Sequence, residues 1–417
     1  MRDSIFAIIL LFTVLSFLFS PKPVSQADYC GTYIKINKWA GFIKNCDTRY
    51  AVNPAINLKS LLEPNTIRQS RPLYIIFGFM IGSSLEAVLY LFGFKYYKES
   101  IFYFAFILIN FITLYLGIIL YNRILSSFTI DKSLIIIFSV FMICNDTTKA
   151  FFWTAHQQIF SIFTPLLILF IMSRILFSPL MISNKKYLLV SLLSGLLLLL
   201  YGNFILILPC ILASFLYKAY LENCIKNKEV VLTAIVSIVL FLIPTLLWIS
   251  LVTVTAGHYY NHEMVAYRQL VWIVDKIQLG IYEFARYIKH YSIKYFKTFS
   301  LEILPFAIVS LIFLFHSLIG GIKREGWKLV VRFDKYAQML KILFVSSIVI
   351  FIFYWILGFY TSRLTFTIVP ILICYIALKL NSIINDIPQA ENMIRIITMI
   401  CAAFWFIYHV FKYGPFS

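Results

Sequence analysis

Between residues 230 and 252 the chain carries no charged side chain. Further apolar runs, with at most one charged residue each, cover 73–94, 101–121, 133–145, 158–177, 187–201, 204–217, 301–319, 342–359, 364–378 and 394–411. A helix needs about 20 mostly apolar residues to cross a bilayer, whereas a membrane barrel alternates in segments of about ten. The runs therefore predict an all-α fold, a polytopic integral membrane protein of about 10–12 membrane segments. Residues 1–417 read as a single transmembrane domain. Composition supports this: 61% of residues are hydrophobic and 13% charged, against about 45–50% and about 25% in soluble domains. A soluble enzyme, a disordered chain and a disulfide scaffold are excluded.

The net charge is +18, from 36 Lys and Arg against 18 Asp and Glu. In a soluble protein that balance points to nucleic acid. In a membrane protein it points to cytoplasmic anchoring on anionic lipid, so membrane lipids are the expected partners and nucleic acid is not. Arg123, Lys132, Arg174, Lys185, Lys186, Lys218, Lys323, Arg324 and Lys379 all fall in loops of one parity. Of the short loops of the other parity, only those with Lys149 and Arg363 carry a basic residue. The positive-inside rule then puts 145–157, 202–203, 254–299 and 360–363 on the outer face of a multi-pass cell (inner) membrane protein, with any active site on the periplasmic side.

The apolar stretch 4–20 reads as an uncleaved first helix, a signal peptide cut near Ser25-Gln26-Ala27 being the alternative. It delivers 21–72, a first outer loop expected to form short helices. If 21–72 and the start of the 101–121 helix are both outside, 73–94 cannot cross fully. Its Gly78, Gly82, Ser83, Ser84, Glu86 and Gly93 suggest a re-entrant or broken helix, which is tolerated only where protein or a wet cavity covers it. The stretch 254–299 is rich in Tyr, Lys and Arg, as suits an amphipathic outer loop lying in the interface.

Residues able to do chemistry are few. No CxxC, HExxH or Walker pattern occurs. Cys30 and Cys46 share the first outer loop and could close a disulfide in an oxidising compartment. His258 and His262, spaced i and i+4 with Glu263 following, could hold a metal, or could be two interfacial histidines in a polar turn. Asp28, Asp47 and Asp146 are outer carboxylates that could serve as a general base or hold Mg or Mn, the bland reading being solvated loop acids. His156 lies in the same loop as Asp146. Arg363, in Tyr360-Thr361-Ser362-Arg363, could bind a lipid-linked phosphate through its planar fork, or simply snorkel to the interface. Arg68 and Arg71, in Arg68-Gln69-Ser70-Arg71-Pro72-Leu73-Tyr74, could bind an anion.

The layout of these residues resembles the membrane glycosyltransferases of the C-type (GT-C) fold, which use polyprenyl- or dolichyl-phosphate sugars. The similarity covers most of 1–180 and the 342–380 stretch, and rests on order rather than on a long motif. It implies a catalytic acid soon after helix 1, matched by Asp28-Tyr29 or by Asp47-Thr48-Arg49-Tyr50. It further implies a second acid in the next outer loop, matched by Asn145-Asp146; His156, in the same loop, could by its position lie near the acceptor or a metal, or could simply pack. A late arginine at the donor phosphate corresponds to Arg363, beside Tyr360. The expected activity is transfer of a sugar from a lipid-phosphate donor to an outer-face acceptor. The alternatives are a glycan polymerase or ligase, which relies on outer arginines and a histidine, and a transporter or flippase for lipid-linked substrates. A transporter should show inverted repeats and mid-helix polar residues, and the spans here are nearly free of charge.

Overall fold

Asn227 accepts the backbone N–H of Glu229 with its side chain and so starts the helix Lys228–Ala256, which stops at Gly257 with φ of +82°. Most of the chain is built from segments of this kind. The computed structural model describes residues 2–19, 31–35, 41–45, 47–128, 130–178, 184–224, 227–299, 303–325 and 335–412.

In chain order the helices begin with α1 (Arg2–Leu18), α2 (Asp47–Ile56), α3 (Pro72–Leu91), α4 (Lys98–Ser126), α5 (Lys132–Ile143) and α6 (Asp146–Phe151). There follow α7 (Phe160–Leu176), α8 (Asn184–Leu198), α9 (Ile207–Leu221), α10 (Lys228–Ala256), α11 (His262–Ala266), α12 (Val271–Gln278) and α13 (Ile281–Lys297). The last are α14 (Leu304–Glu325), α15 (Lys335–Leu357), α16 (Ser362–Thr365), α17 (Val369–Asp386) and α18 (Glu391–Phe411).

Among the described residues, 8 helices are long and apolar enough to cross a membrane. They are α3, α4, α7, α9, α10, α15, the continuous α16–α17 and α18. The chain is thus a helical multi-pass membrane protein. The larger number expected from sequence also counted shorter apolar segments, such as α5 with 12 residues, α8 with 15 and α1 with 17.

Two expectations need correcting. Residues 21–72 do not form helices alone: strand β1 (Gly31–Lys35) pairs antiparallel with β2 (Gly41–Asn45), with Tyr33 opposite Ile43, before α2 and a 3-10 turn at Leu58–Leu62. And the glycines and serines of 73–94 do not break the helix, because α3 runs without interruption over the 20 residues Pro72–Leu91. Its glycines serve packing instead. A Cβ at Gly78 would collide with the Phe106 ring, and one at Gly82 with Phe102, so the two residues let α3 lie against α4.

The core is mainly aromatic and aliphatic. Tyr74 on α3 meets Phe106 on α4 at 4.9 Å and Phe160 on α7 at 6.4 Å between ring centroids. Such pairs contribute about 0.5–1.5 kcal/mol beyond the area they bury. Ile5, Ile9 and Phe12 bury one face of α1 completely. Among the polar residues buried within the core, the Asn110 amide donates to the carbonyls of Phe151, Phe152 and Thr154 at 3.0, 3.0 and 2.8 Å. It thereby fixes the loop between α6 and α7. At the far end of α4, Asp131 caps α5 by accepting from the Ser133 and Leu134 amides and pairs with Arg395 at 3.3 Å.

Candidate functional site

The loops assigned above to one face all contribute to a single cavity of about 1090 Å³. Asp47, Arg68, Arg71, His156, Tyr201, Asn203, Glu263 and Arg363 lie on its walls. Asp47 is the first residue of α2, where the helix dipole favours a negative charge. Its carboxylate lies 3.7 Å from Arg68 Nη2 and 3.4 Å from His156 Nε2, and 30% of it is exposed.

The segment before α3 delivers the arginines. Gln69 anchors it: its Nε2 donates to the carbonyls of Leu61 and Glu63, its Oε1 accepts from the Tyr260 amide, and its carbonyl accepts from Trp248 Nε1. This leaves Arg68 only 4% exposed. Burial, followed by the neighbouring Arg71 guanidinium, pushes Arg68 below the ordinary arginine value. Its nearest carboxylate is distant for an ion pair and its Nε has no partner. A buried cation with incomplete compensation favours an incoming anion. Arg71 is satisfied by Glu263, which also accepts from Ser70 Oγ at 3.2 Å. With its amide oxygen turned to the guanidiniums, Gln157 accepts from Arg71 and, at 3.2 Å, from Arg68 Nη1.

His156 is the buried centre of this group. Its Nδ1 accepts the Gln158 amide at 3.1 Å, so the neutral ring carries its proton on Nε2, towards Asp47. Burial first, then Arg68, Arg363 and Arg71, hold it well below the usual histidine value. The ring is therefore neutral at physiological pH. Arg363 comes from α16, where Gln158 Nε2 donates to its carbonyl at 2.9 Å and its guanidinium lies 5.6 Å from the Phe151 ring centre. Among the described residues no carboxylate pairs with it.

Other sequence candidates sit elsewhere. Asp146 is outside the cavity, bonded to His409 Nδ1 at 3.1 Å and to Lys412. Burial alone would raise its carboxyl, but His409 and Lys412 outweigh that and hold it below the ordinary range. Beside it, Lys149 Nζ donates to the carbonyls of His409, Val410 and Lys412 at 3.1, 2.9 and 2.7 Å, and burial lowers it to about 8. Asp146 is a structural acid that latches α18, which corrects its placing at the site. Tyr360 is likewise corrected: its hydroxyl donates to the Trp355 carbonyl at 2.6 Å, away from the cavity.

The proposed metal trio does not converge. His258 Nε2 is 3.1 Å from Asn65 Oδ1, His262 Nδ1 is 3.0 Å from the Tyr260 hydroxyl, and Glu263 is committed to Arg71. Among the described residues no cluster of three His, Cys, Asp or Glu side chains could hold a metal. Asp28, Cys30 and Cys46 lie outside the described residues.

Gln157, Gln158, Tyr201 and Asn110 were not among the sequence candidates. Asn110 did leave a signal, as a lone amide within the apolar run 101–121. Comparison with known proteins adds no relative: no family model, no curated protein and no solved structure matches the chain.

Proposed function

We propose that this protein is a membrane glycosyltransferase that moves a sugar from a polyprenyl- or dolichyl-phosphate donor to a lipid, glycan or protein acceptor at the outer face of the cell membrane. The observation that carries the reading is that Asp47 and Arg363, far apart in sequence, line one cavity. Asp47 is partly exposed and lies beside both Arg68 and the His156 N–H, whereas Glu263 is held by Arg71. In an inverting transfer it takes the acceptor hydroxyl proton as the new glycosidic bond forms. The bond from sugar to phosphate breaks, and the charge that grows on the departing lipid phosphate is met by Arg363 and Arg68. The geometry gives no role in this to Asp146 or Tyr360.

A second reading, a glycan polymerase or ligase, draws on His156 standing among three arginines. Against it, a ring whose Nδ1 is occupied and whose basicity is suppressed makes a poor proton acceptor. Purified protein in lipid, supplied with radiolabelled polyprenyl-phosphate sugars, separates the two. The transferase reading expects transfer to be lost in Asp47→Asn and retained in large part in His156→Gln. The reverse order, or no transfer from any such donor, would overturn it.

A further inference from the structure

A second cavity lies towards the opposite end of α4. It holds about 410 Å³ between α4 and α7, with α1 at its edge. Tyr115, Ile119 and Leu120 form the α4 wall, and Phe163, Leu167 and Phe170 form the α7 wall. Residues 115 to 123 repeat along one helix face over roughly 12 Å, so the space is a slot running with the helices rather than a round pocket. Arg123 closes it in the last turn of α4, and Arg2 stands at the start of α1.

The slot is apolar along its length and cationic where the arginines stand. Among the described residues no carboxylate lines it, and neither Arg2 nor Arg123 forms an ion pair. Arg174 adds positive potential near the same end, its guanidinium 5.0 Å from the Phe170 ring centre. A ligand matching both halves needs a long hydrocarbon chain attached to an anion. We propose that the slot holds one acyl chain of an anionic glycerophospholipid, whose phosphate sits between Arg2 and Arg123. A zwitterionic lipid of the same shape would bring its own ammonium group against two arginines, and a free phosphate would leave the apolar walls unfilled. The site is separate from the large cavity: Tyr103 there and Arg123 here are roughly 30 Å apart along α4.

The full chain, purified in detergent, is incubated with phosphatidylglycerol or with phosphatidylcholine of the same acyl chains. Native mass spectrometry then counts the lipids retained. The wild type should retain one phosphatidylglycerol with at least about tenfold preference, the scale of one lost hydrogen bond to a charged group. The Arg2→Gln/Arg123→Gln double variant should lose that preference, whereas Arg286→Gln, on α13, should keep it. Leu167→Trp fills the slot while leaving both arginines, and should reduce retention at the site even if the double variant folds poorly. Excess glycerol phosphate should not displace the lipid. Equal retention of the two lipids by the wild type, an unchanged preference in the double variant, full retention in Leu167→Trp, or displacement by glycerol phosphate would each overturn the proposal.

Discussion

His156 Nε2 lies 3.4 Å from Asp47 Oδ2, while the opposite nitrogen of the same ring is occupied by the Gln158 amide. This fixes the direction of the contact, since the imidazole donates and the carboxylate accepts. In the site as proposed, Asp47 receives protons and His156 orients it. Asp47→Asn keeps size and hydrogen bonding but cannot take a proton. Its kcat should fall by roughly 10²–10⁴ with donor binding nearly unchanged. Asp28→Asn, measured alongside, should have little effect; a larger loss there would move the base to Asp28.

Arg363→Ala should act on binding. Without charge-assisted hydrogen bonds to a phosphate, which contribute about 1.5–3 kcal/mol, the KM for a lipid-phosphate sugar should rise roughly tenfold to a hundredfold. A drop in kcat at unchanged KM would assign Arg363 to the transition state alone.

The Asn110 amide offers a stability test. Asn110→Leu strands the carbonyls that hold the loop bearing His156, and should destabilise the protein by about 1–3 kcal/mol. Asn110→Asp, which cannot donate, should behave similarly. Thermal unfolding in detergent reads the loss, and an unchanged midpoint in both variants would show the loop to be held by other contacts.

Glu263 gives a pH dependence with a definite sign. Burial raises its carboxyl, but Arg71, its own backbone amide, Arg68 and Ser70 together hold it below the ordinary value of 4.5. A group depressed in the folded state contributes stability that is complete above its unfolded value and lost as pH falls through the folded one. The difference in unfolding midpoint between wild type and Glu263→Gln should therefore be constant down to about pH 4.5 and shrink below it. A difference that grew on acidification would contradict the Arg71 pairing.

Orientation is checked by labelling single cysteines at exposed positions. Replacements of His258, Tyr282 and Ser362 should react with an impermeant reagent from outside the cell, and those of Lys132 and Lys185 should not.

The spans were legible because an uncharged run such as 230–252 admits few other structures. Glycine was not legible in the same way: Gly78 and Gly82 suit a break in a helix as well as close contact with a neighbour, and only the rings of Phe102 and Phe106 decide. Asp47 and Arg363 could be named from charge and loop position. Their partners could not, since Arg71 with Glu263 and Asn110 with three carbonyls are long-range pairings that no local spacing encodes. Asp146 misled for the same reason, because the Lys412 and His409 that engage it lie far along the chain.

Lys149 sets a condition on how the molecule is made. The carbonyls that receive its ammonium are up to 263 residues downstream. At a synthesis rate of roughly 5–20 residues per second, the delay is on the order of tens of seconds. During that interval the cation of α6 has none of its final acceptors, so α6 cannot settle into a dry interior until α18 has been inserted. Seating of α18 is then a late checkpoint in biogenesis, and a ribosome that stops before α18 leaves a nascent chain whose α6 stays hydrated.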